Sequence, residues 1–136
     1  FRQSDARRLS GQRRIIFVCG RYKGVDERVI EITGAETISI GDYVISGGEL
    51  AALIMADSAV RHLPGVLGDE RSRDTDSFDI ESGEMLDAAY YTRPPEYRGL
   101  SVPEVLLSGN HAEIDRWRRE SARQRTARFR PDLLEN

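Results

Sequence analysis

The sequence has a single cysteine, Cys19, and no hydrophobic run that approaches the roughly 18 residues of a membrane-spanning helix. One cysteine cannot form an internal disulfide, and without a second one the chain has neither a zinc knuckle nor a redox cysteine pair. No short apolar stretch follows a basic start, as it would in a signal peptide. We therefore expect a cytoplasmic protein with no membrane segment and no structural metal site.

The chain is also short, which limits the number of its domains. Its 136 residues suit one domain, or one domain with a small appendage, because typical domains have about 100 to 150 residues. Hydrophobic residues make up 39%, which is enough for a core and excludes a disordered chain. The first residue is Phe1 and not Met, so we expect the latter part of a longer polypeptide.

Apolar runs and glycines predict alternating strands and helices in the first half of the chain. Asp26 is placed to cap a short helix through residue 31, and an apolar stripe predicts a longer helix over residues 49–63. Three further segments predict strands, the first of them buried and parallel: residues 15–19, 37–40 and 43–45. This order of elements predicts an α/β fold.

The amino-acid composition of the second half of the chain changes twice. Residues 66–90 are acidic and poor in aliphatic runs, which predicts a flexible linker. Farther on, Asn110 followed by Glu113 is typical of the start of a helix. We therefore predict an α/β domain, a linker and a small helical domain, with these boundaries: 1–65, 66–90 and 91–136.

Lysine is nearly absent, and arginine supplies the positive charge. Lys23 is the only lysine among 20 basic residues, within a net charge of −3. Arginine has the planar fork that suits phosphate groups and guanine edges, so a nucleic-acid partner is one interpretation, and a solvated basic face is the other. Seven arginines are concentrated near the end of the chain: Arg116, Arg118, Arg119, Arg123, Arg125, Arg128 and Arg130.

Eight of the 12 glycines fall between Gly20 and Gly68. Such clustering allows the backbone to approach a ligand closely, although tight turns would also explain each glycine. The known phosphate-binding patterns G-x-x-x-x-G-K-[ST] and G-x-G-x-x-G are absent. This excludes an ordinary P-loop or Rossmann nucleotide site.

Five strings of residues, in this order and spacing, resemble the bacterial tRNA (guanine-N1)-methyltransferase family of the TrmD type. The resemblance covers essentially the whole chain, and several long motifs in register make it more specific than any single glycine pattern. The strings are Val18-Cys19-Gly20-Arg21-Tyr22, Ser39-Ile40-Gly41-Asp42-Tyr43-Val44-Ile45-Ser46-Gly47-Gly48-Glu49-Leu50, Pro64-Gly65-Val66-Leu67-Gly68, Tyr91-Thr92-Arg93-Pro94 and Leu106-Leu107-Ser108-Gly109-Asn110-His111.

The resemblance implies the C-terminal part of a trefoil-knotted α/β methyltransferase domain of the SPOUT class, followed by a small helical domain that binds tRNA. It implies a homodimer with a shared active site that methylates N1 of the guanosine at position 37 of tRNA. The methyl donor would be S-adenosylmethionine, and the resemblance also implies dependence on Mg2+. By motif match, the cofactor would be enclosed by Gly20, Tyr22, Ile40, Gly41, Asp42, Tyr43, Val44, Ile45, Gly47 and Gly48.

The resemblance also implies two catalytic residues, Asp76 as base and Arg61 near the end of the long helix. N1 of guanine carries a proton at neutral pH, so it is a poor nucleophile until a base removes that proton. Negative charge then spreads to O6, where a guanidinium can stabilise it. The residues alone would leave Asp76 as one acid among eight in an acidic segment, and Arg61 as an ordinary helix-end cation.

Two alternatives stay open. One is a noncatalytic RNA-binding remnant of the family, because Lys23 stands where the family usually has Glu and an earlier half of the domain would precede Phe1. The other is a related knotted methyltransferase that acts on ribosomal RNA, against which the segment around Asp76 and the helical tail argue.

Overall fold

The computed structural model describes residues 1–68, 76–78 and 83–135 and divides the chain into two compact units. The first is Phe1–Glu70 and the second is Arg71–Asn136. The predicted linker over 66–90 includes residues 69–75 and 79–82, which lie outside the described residues. Its boundaries and its flexibility therefore stay predictions.

The described part of the first unit contains three helices: α1 (Gln3–Ser10), α2 (Glu27–Thr33) and α3 (Glu49–Val60). The N-cap of α2 confirms its predicted start, while the helix ends at Thr33, two residues after its predicted end at residue 31. The Asp26 carboxylate accepts a hydrogen bond from the Arg28 N–H, and Gly34 ends the helix with φ 64°, a conformation that glycine adopts without steric cost.

Helix α3 begins at Glu49 as predicted but ends at Val60, three residues before the predicted end. Residues 61–63 continue as tight turns, in which the N–H of Leu63 donates to the carbonyl of Val60 at 3.0 Å. The reason is Pro64, which disfavours a helical conformation in the residue before it.

Helix α1 is not predicted by the sequence patterns, and it packs against α3. The Asp5 carboxylate caps its start by accepting the Arg2 N–H at 2.9 Å. Leu9 of α1 and Met55 and Ala59 of α3 form the buried core of the unit. Burial of a side chain such as Leu9 contributes about 2 kcal/mol, so the α1–α3 contact is a main source of stability in this unit.

The predicted strands over 15–19, 37–40 and 43–45 are wrong for the described structure, which forms no strand there. Residues 15–19 and 37–38 line an apolar groove of about 580 Å³, and Ile16 is 80% exposed. A strand requires a hydrogen-bonded neighbour, and none of the described residues pairs with these segments. An apolar run gives no information about whether that neighbour is present.

The second unit contains the only ladder among the described residues, a short antiparallel pair of β1 (Glu96–Tyr97) and β2 (Leu100–Ser101). A 3-10 helix (Glu104–Leu107), the helix α4 (His111–Phe129) and a second 3-10 helix (Pro131–Leu134) follow. The Asn110 side chain caps α4 by accepting the Glu113 N–H at 3.4 Å. This confirms the predicted helix start.

The interior of the second unit lies along one face of α4. Ile114 and Ala122 of the helix are buried together with Ala88. The rings of Tyr91 and Trp117 lie 6.1 Å apart at a tilt of 56°, an ordinary geometry for packed aromatic pairs. Both units together make a mixed α/β chain dominated by helices, and no described helix has the length and apolarity needed to cross a membrane.

Candidate active site

The structure brings the candidate cofactor residues Gly20, Gly47 and Gly48 together at the start of α3. The Gly48 N–H donates to the carbonyl of Gly20 at 3.1 Å. Arg21 forms isolated bridges with Gly24 and Gly47. Two segments distant in sequence thus meet through their main chains, and we call this contact the glycine junction.

The glycine junction leaves no space for side chains. A Cβ atom on Gly48 would lie 3.0 Å from the Cα atom of Cys19, and one on Gly20 would lie 2.8 Å from Cγ2 of Val25. A Cβ atom on Gly47 would collide with the Glu49 carboxylate. At Gly48 the obstructing atom is main chain and cannot turn away, so the close approach of these two segments requires glycine there, independently of any ligand.

An exposed ion pair fastens the same junction. Arg21 Nε donates to Glu49 Oε1 at 2.8 Å. The pKa of Glu49 lies below its ordinary value, because its own main-chain N–H, at the start of α3, and then Arg21 hydrogen-bond the carboxylate. The carboxylate thus stays charged at the helix N-terminus, where negative charge is favourable.

The segment 40–46 is open to a ligand. Gly41 has φ 153°, and its neighbour Tyr43 is more than half exposed. Val44 is 98% exposed. The main chain of residues 42–45 forms no hydrogen bond with the part of the chain that the structure describes. Free main-chain donors and acceptors beside exposed apolar side chains fit the adenosine part of S-adenosylmethionine.

The remaining predicted cofactor residues differ in their surroundings. Ile40 packs against the core of the first unit, while Ile45 and Asp42 are exposed. Tyr22 is fully exposed and has φ 63°. The structure therefore leaves Ile40 partly buried against the core and Ile45 and Tyr22 accessible.

Arg61 is the C-cap of α3, and its side chain is exposed. The next residue, His62, is half-buried, and its Nε2 atom lies 3.2 Å from Nε2 of Gln3 in α1. Contact with α1 thus fixes the end of α3 from which the Arg61 guanidinium extends.

Asp76 belongs to the second unit and is half-buried in a turn over residues 76–78. Its neighbours bind residues 85–89, which we call the clamped segment. Ser77 Oγ accepts the Asp87 N–H at 2.9 Å, and the Phe78 N–H donates to the carbonyl of Met85 at 2.8 Å. The predicted base is therefore attached to ordered structure in its own unit.

A tyrosine lies within electrostatic reach of Asp76. Tyr90 donates its hydroxyl to Asp87 Oδ2 at 2.7 Å. This hydrogen bond raises the pKa of Tyr90 above its ordinary value, and the negative charge of Asp76 raises it further. Asp76, Asp87 and the phenol of Tyr90 thus form a small acidic cluster that includes the predicted base.

Helix α4 presents a row of three exposed arginines, Arg116, Arg119 and Arg123. Their spacing of three and four residues puts them on one face of the helix. None of them forms an ion pair within the described residues, whereas Arg118 lies 3.6 Å from Asp115. We call these three residues the arginine row.

Sequence patterns missed the residues that hold the clamped segment to α4. Thr126 is wholly buried and is the only buried polar residue among those described. Its Oγ1 accepts the Leu86 N–H at 3.0 Å. The one signal in the sequence is a threonine on the apolar face of a helix, and it does not indicate which group the threonine binds.

The described residues contain no group of three or more His, Cys, Asp and Glu side chains that could hold a metal ion. The Mg2+ that the resemblance implies therefore has no assigned ligands here.

Comparison with known proteins gives matches over the whole chain. The family model described as tRNA (Guanine-1)-methyltransferase TrmD matches residues 1–136. A tRNA (guanine-N(1)-)-methyltransferase of Chlorobium luteolum is 58% identical over 134 residues, which are 98% of this chain and 56% of that protein. Proteins of the same name from Geobacter metallireducens and Dehalococcoides mccartyi are 54% and 53% identical, each over 99% of this chain. The chain spans about half the length of these relatives.

Proposed function

Because this chain belongs to the tRNA (Guanine-1)-methyltransferase TrmD family, we propose that it is part of an enzyme that methylates N1 of the guanosine at position 37 of tRNA. The observation that carries the proposal is the match of the family model to all 136 residues, supported by identities above 50% to three relatives of that name. Such an enzyme would act in the cytoplasm, where tRNA is.

S-adenosylmethionine would supply an electrophilic methyl group on a positively charged sulfur. In the proposed site, the main-chain groups of residues 42–46 and the exposed side chains of Tyr43, Val44 and Ile45 would hold the adenosine part of this cofactor. The glycine junction of Gly20 with Gly47 and Gly48 holds the neighbouring wall of the site.

Asp76 acts as the general base in this proposal. Its carboxylate takes the proton from guanine N1, which makes N1 a nucleophile. Bound S-adenosylmethionine would supply the methyl group to N1 and would leave as S-adenosylhomocysteine. The guanidinium of Arg61 stabilises the negative charge that develops on guanine O6.

The arginine row supports tRNA as the substrate. The arginine row, Arg116, Arg119 and Arg123, extends along about 10 Å of helix. This length is comparable to two successive phosphate-to-phosphate spacings of an RNA strand. Because they have no acidic partner among the described residues, their charge is available for phosphate contacts. In this proposal, α4 binds the tRNA backbone and base contacts elsewhere give specificity.

Helix α3 supports a homodimer. Leu50 and Leu53 are 63% and 64% exposed, and Ile54 beside them is 46% exposed. A contiguous apolar patch of this kind is typical of a surface that a partner covers. We propose that a second copy covers this patch, that the two copies share the active sites, and that the first unit is part of a trefoil-knotted domain.

The test uses the protein expressed from its complete reading frame with S-adenosylmethionine and a tRNA transcript. Mass spectrometry of the digested tRNA should detect 1-methylguanosine at position 37. A matched transcript with adenosine at that position should stay unmodified. Methylation of both transcripts, or of neither, would refute the proposed function.

A further inference from the structure

Thr126 of α4 uses both hydrogen-bonding capacities of its hydroxyl in the interior of the second unit. Its Oγ1 donates to the carbonyl of Ala122 at 2.8 Å and accepts the N–H of Leu86 at 3.0 Å. Valine has the same shape and would suit an apolar interior without a partner. The hydroxyl therefore has one specific effect, which is to bind the main chain of the clamped segment.

Two other side chains of α4 bind the same segment. Ser121 Oγ accepts the N–H of Ala89 at 3.0 Å, and Arg125 Nε donates to the carbonyl of Asp87 at 3.1 Å. With Thr126, they attach three main-chain groups of residues 86–89 to the helix. The clamped segment is thus held to α4 through these three groups.

The clamped segment also binds the residues that follow Asp76. The Asp87 N–H donates to Ser77 Oγ at 2.9 Å, and the carbonyl of Met85 accepts the Phe78 N–H at 2.8 Å. The guanidinium of Arg130 lies 5.9 Å from the centre of the Phe78 ring. A continuous series of hydrogen bonds therefore runs from α4 through the clamped segment to the residue next to Asp76.

We propose that Thr126 and Ser77 are positioning residues that set the location of the Asp76 carboxylate through the clamped segment. This rests on the proposed function, in which Asp76 is the base. A base must lie within hydrogen-bond reach of the proton that it removes. The helix that carries the arginine row would then also fix the base, so that the main chain of one unit links tRNA binding to the chemical step.

The kinetic test compares Thr126→Val with Thr126→Ser, which keeps the hydroxyl. In single-turnover methyl transfer with saturating tRNA and cofactor, Thr126→Val should lower the rate on the order of 10- to 100-fold. The dissociation constants of tRNA and cofactor should stay unchanged, and Thr126→Ser should restore most of the rate. Ser77→Ala leaves every contact of α4 intact and should lower the rate similarly, so it decides the question if Thr126→Val fails to fold.

A double-mutant cycle separates positioning from general damage. In the Asp76→Asn background, Ser77→Ala and Thr126→Val should cause no further loss, because a residue that acts only through the base has no effect once the base is gone. Equal losses in both backgrounds, or normal rates for Ser77→Ala, would overturn the inference.

Hydrogen exchange tests the inference without any activity. Thr126→Val should speed exchange of the Asp87 and Phe78 amides and leave that of Gly34 in the first unit unchanged. Unchanged exchange of the Asp87 and Phe78 amides would overturn the link from Thr126 through the clamped segment to the residues next to Asp76. This holds even if tRNA is methylated as proposed. A near-normal rate for Asp76→Asn would instead refute the assignment of the base, and with it the role given to Thr126.

Discussion

The main-chain N–H of Gly48 donates to the carbonyl of Gly20 at 3.1 Å, and a Cβ atom on Gly48 would lie 3.0 Å from the Cα of Cys19. A larger residue at 48 would therefore push two backbone segments apart, because the atom that it meets is main chain and cannot turn away. The glycine is needed for the junction itself, before any ligand is considered.

We expect Gly48→Ala to lower the free energy of unfolding by about 1 to 3 kcal/mol and to weaken cofactor binding on the order of tenfold or more. Gly68→Ala is the matched control, because a Cβ atom there meets no atom of the described residues within 4 Å. Thermal unfolding and calorimetry with S-adenosylmethionine measure both effects. Normal stability and affinity in Gly48→Ala would show that the junction tolerates a side chain.

The arginine row should determine the salt dependence of tRNA binding. Replacing Arg116, Arg119 and Arg123 by Gln together should reduce the slope of log K against log salt by about 2 to 3, since each phosphate contact contributes about 0.7 to 0.9. Arg118→Gln is the control, because this arginine pairs with Asp115. Equal changes in both proteins would locate the phosphate contacts elsewhere on the chain.

The hydrogen bond from Tyr90 to Asp87 predicts that the stability of the fold depends on pH in the alkaline range. The folded-state pKa of Tyr90 is raised above its ordinary value of about 10. Its contribution to stability is therefore complete below that value and is lost as the pH rises through the folded-state pKa. The difference in tyrosinate absorbance between the parent protein and Tyr90→Phe reports the ionisation of Tyr90. This ionisation should occur at a pH above the ordinary pKa of tyrosine, and Asp87→Asn should shift it to lower pH.

The apolar patch of α3 predicts the oligomeric state. Leu53→Glu should convert the proposed dimer into monomers in sedimentation equilibrium, because an uncompensated carboxylate would be buried at the interface. Ile32→Glu, which changes an equally apolar and more exposed residue of α2, should leave the dimer intact. A dimer that persists in Leu53→Glu would place the interface on another surface.

Local signals predicted where α2 and α4 begin, because each N-cap lies next to the helix that it starts, but they predicted neither α1 nor the ends of α2 and α3. Asp26 starts α2, and Asn110 starts α4, as their sequence positions indicate. The segment 15–19 shows the opposite case. Its apolar run indicates burial and an extended backbone, but a strand also needs a neighbour that the run does not specify.

The candidate site was predictable only in part, for the same reason. The family motifs identified Gly20 and Gly48, and the structure brings them together. The clamp between Thr126 and Leu86 joins residues 40 positions apart. No periodicity or spacing indicates such a pair, because the partner of the threonine is a main-chain group that any residue type would offer.

The most direct test of the central claim is the rate of methyl transfer by Asp76→Asn in a single turnover with saturating tRNA and cofactor. Asparagine keeps the size and loses the basicity, so the rate should fall on the order of 10² to 10⁴-fold with both ligands still bound. Asp115→Asn, a carboxylate of α4, is the control and should keep the parent rate. A near-normal rate for Asp76→Asn would show that another group takes the proton from N1 and would contradict the account.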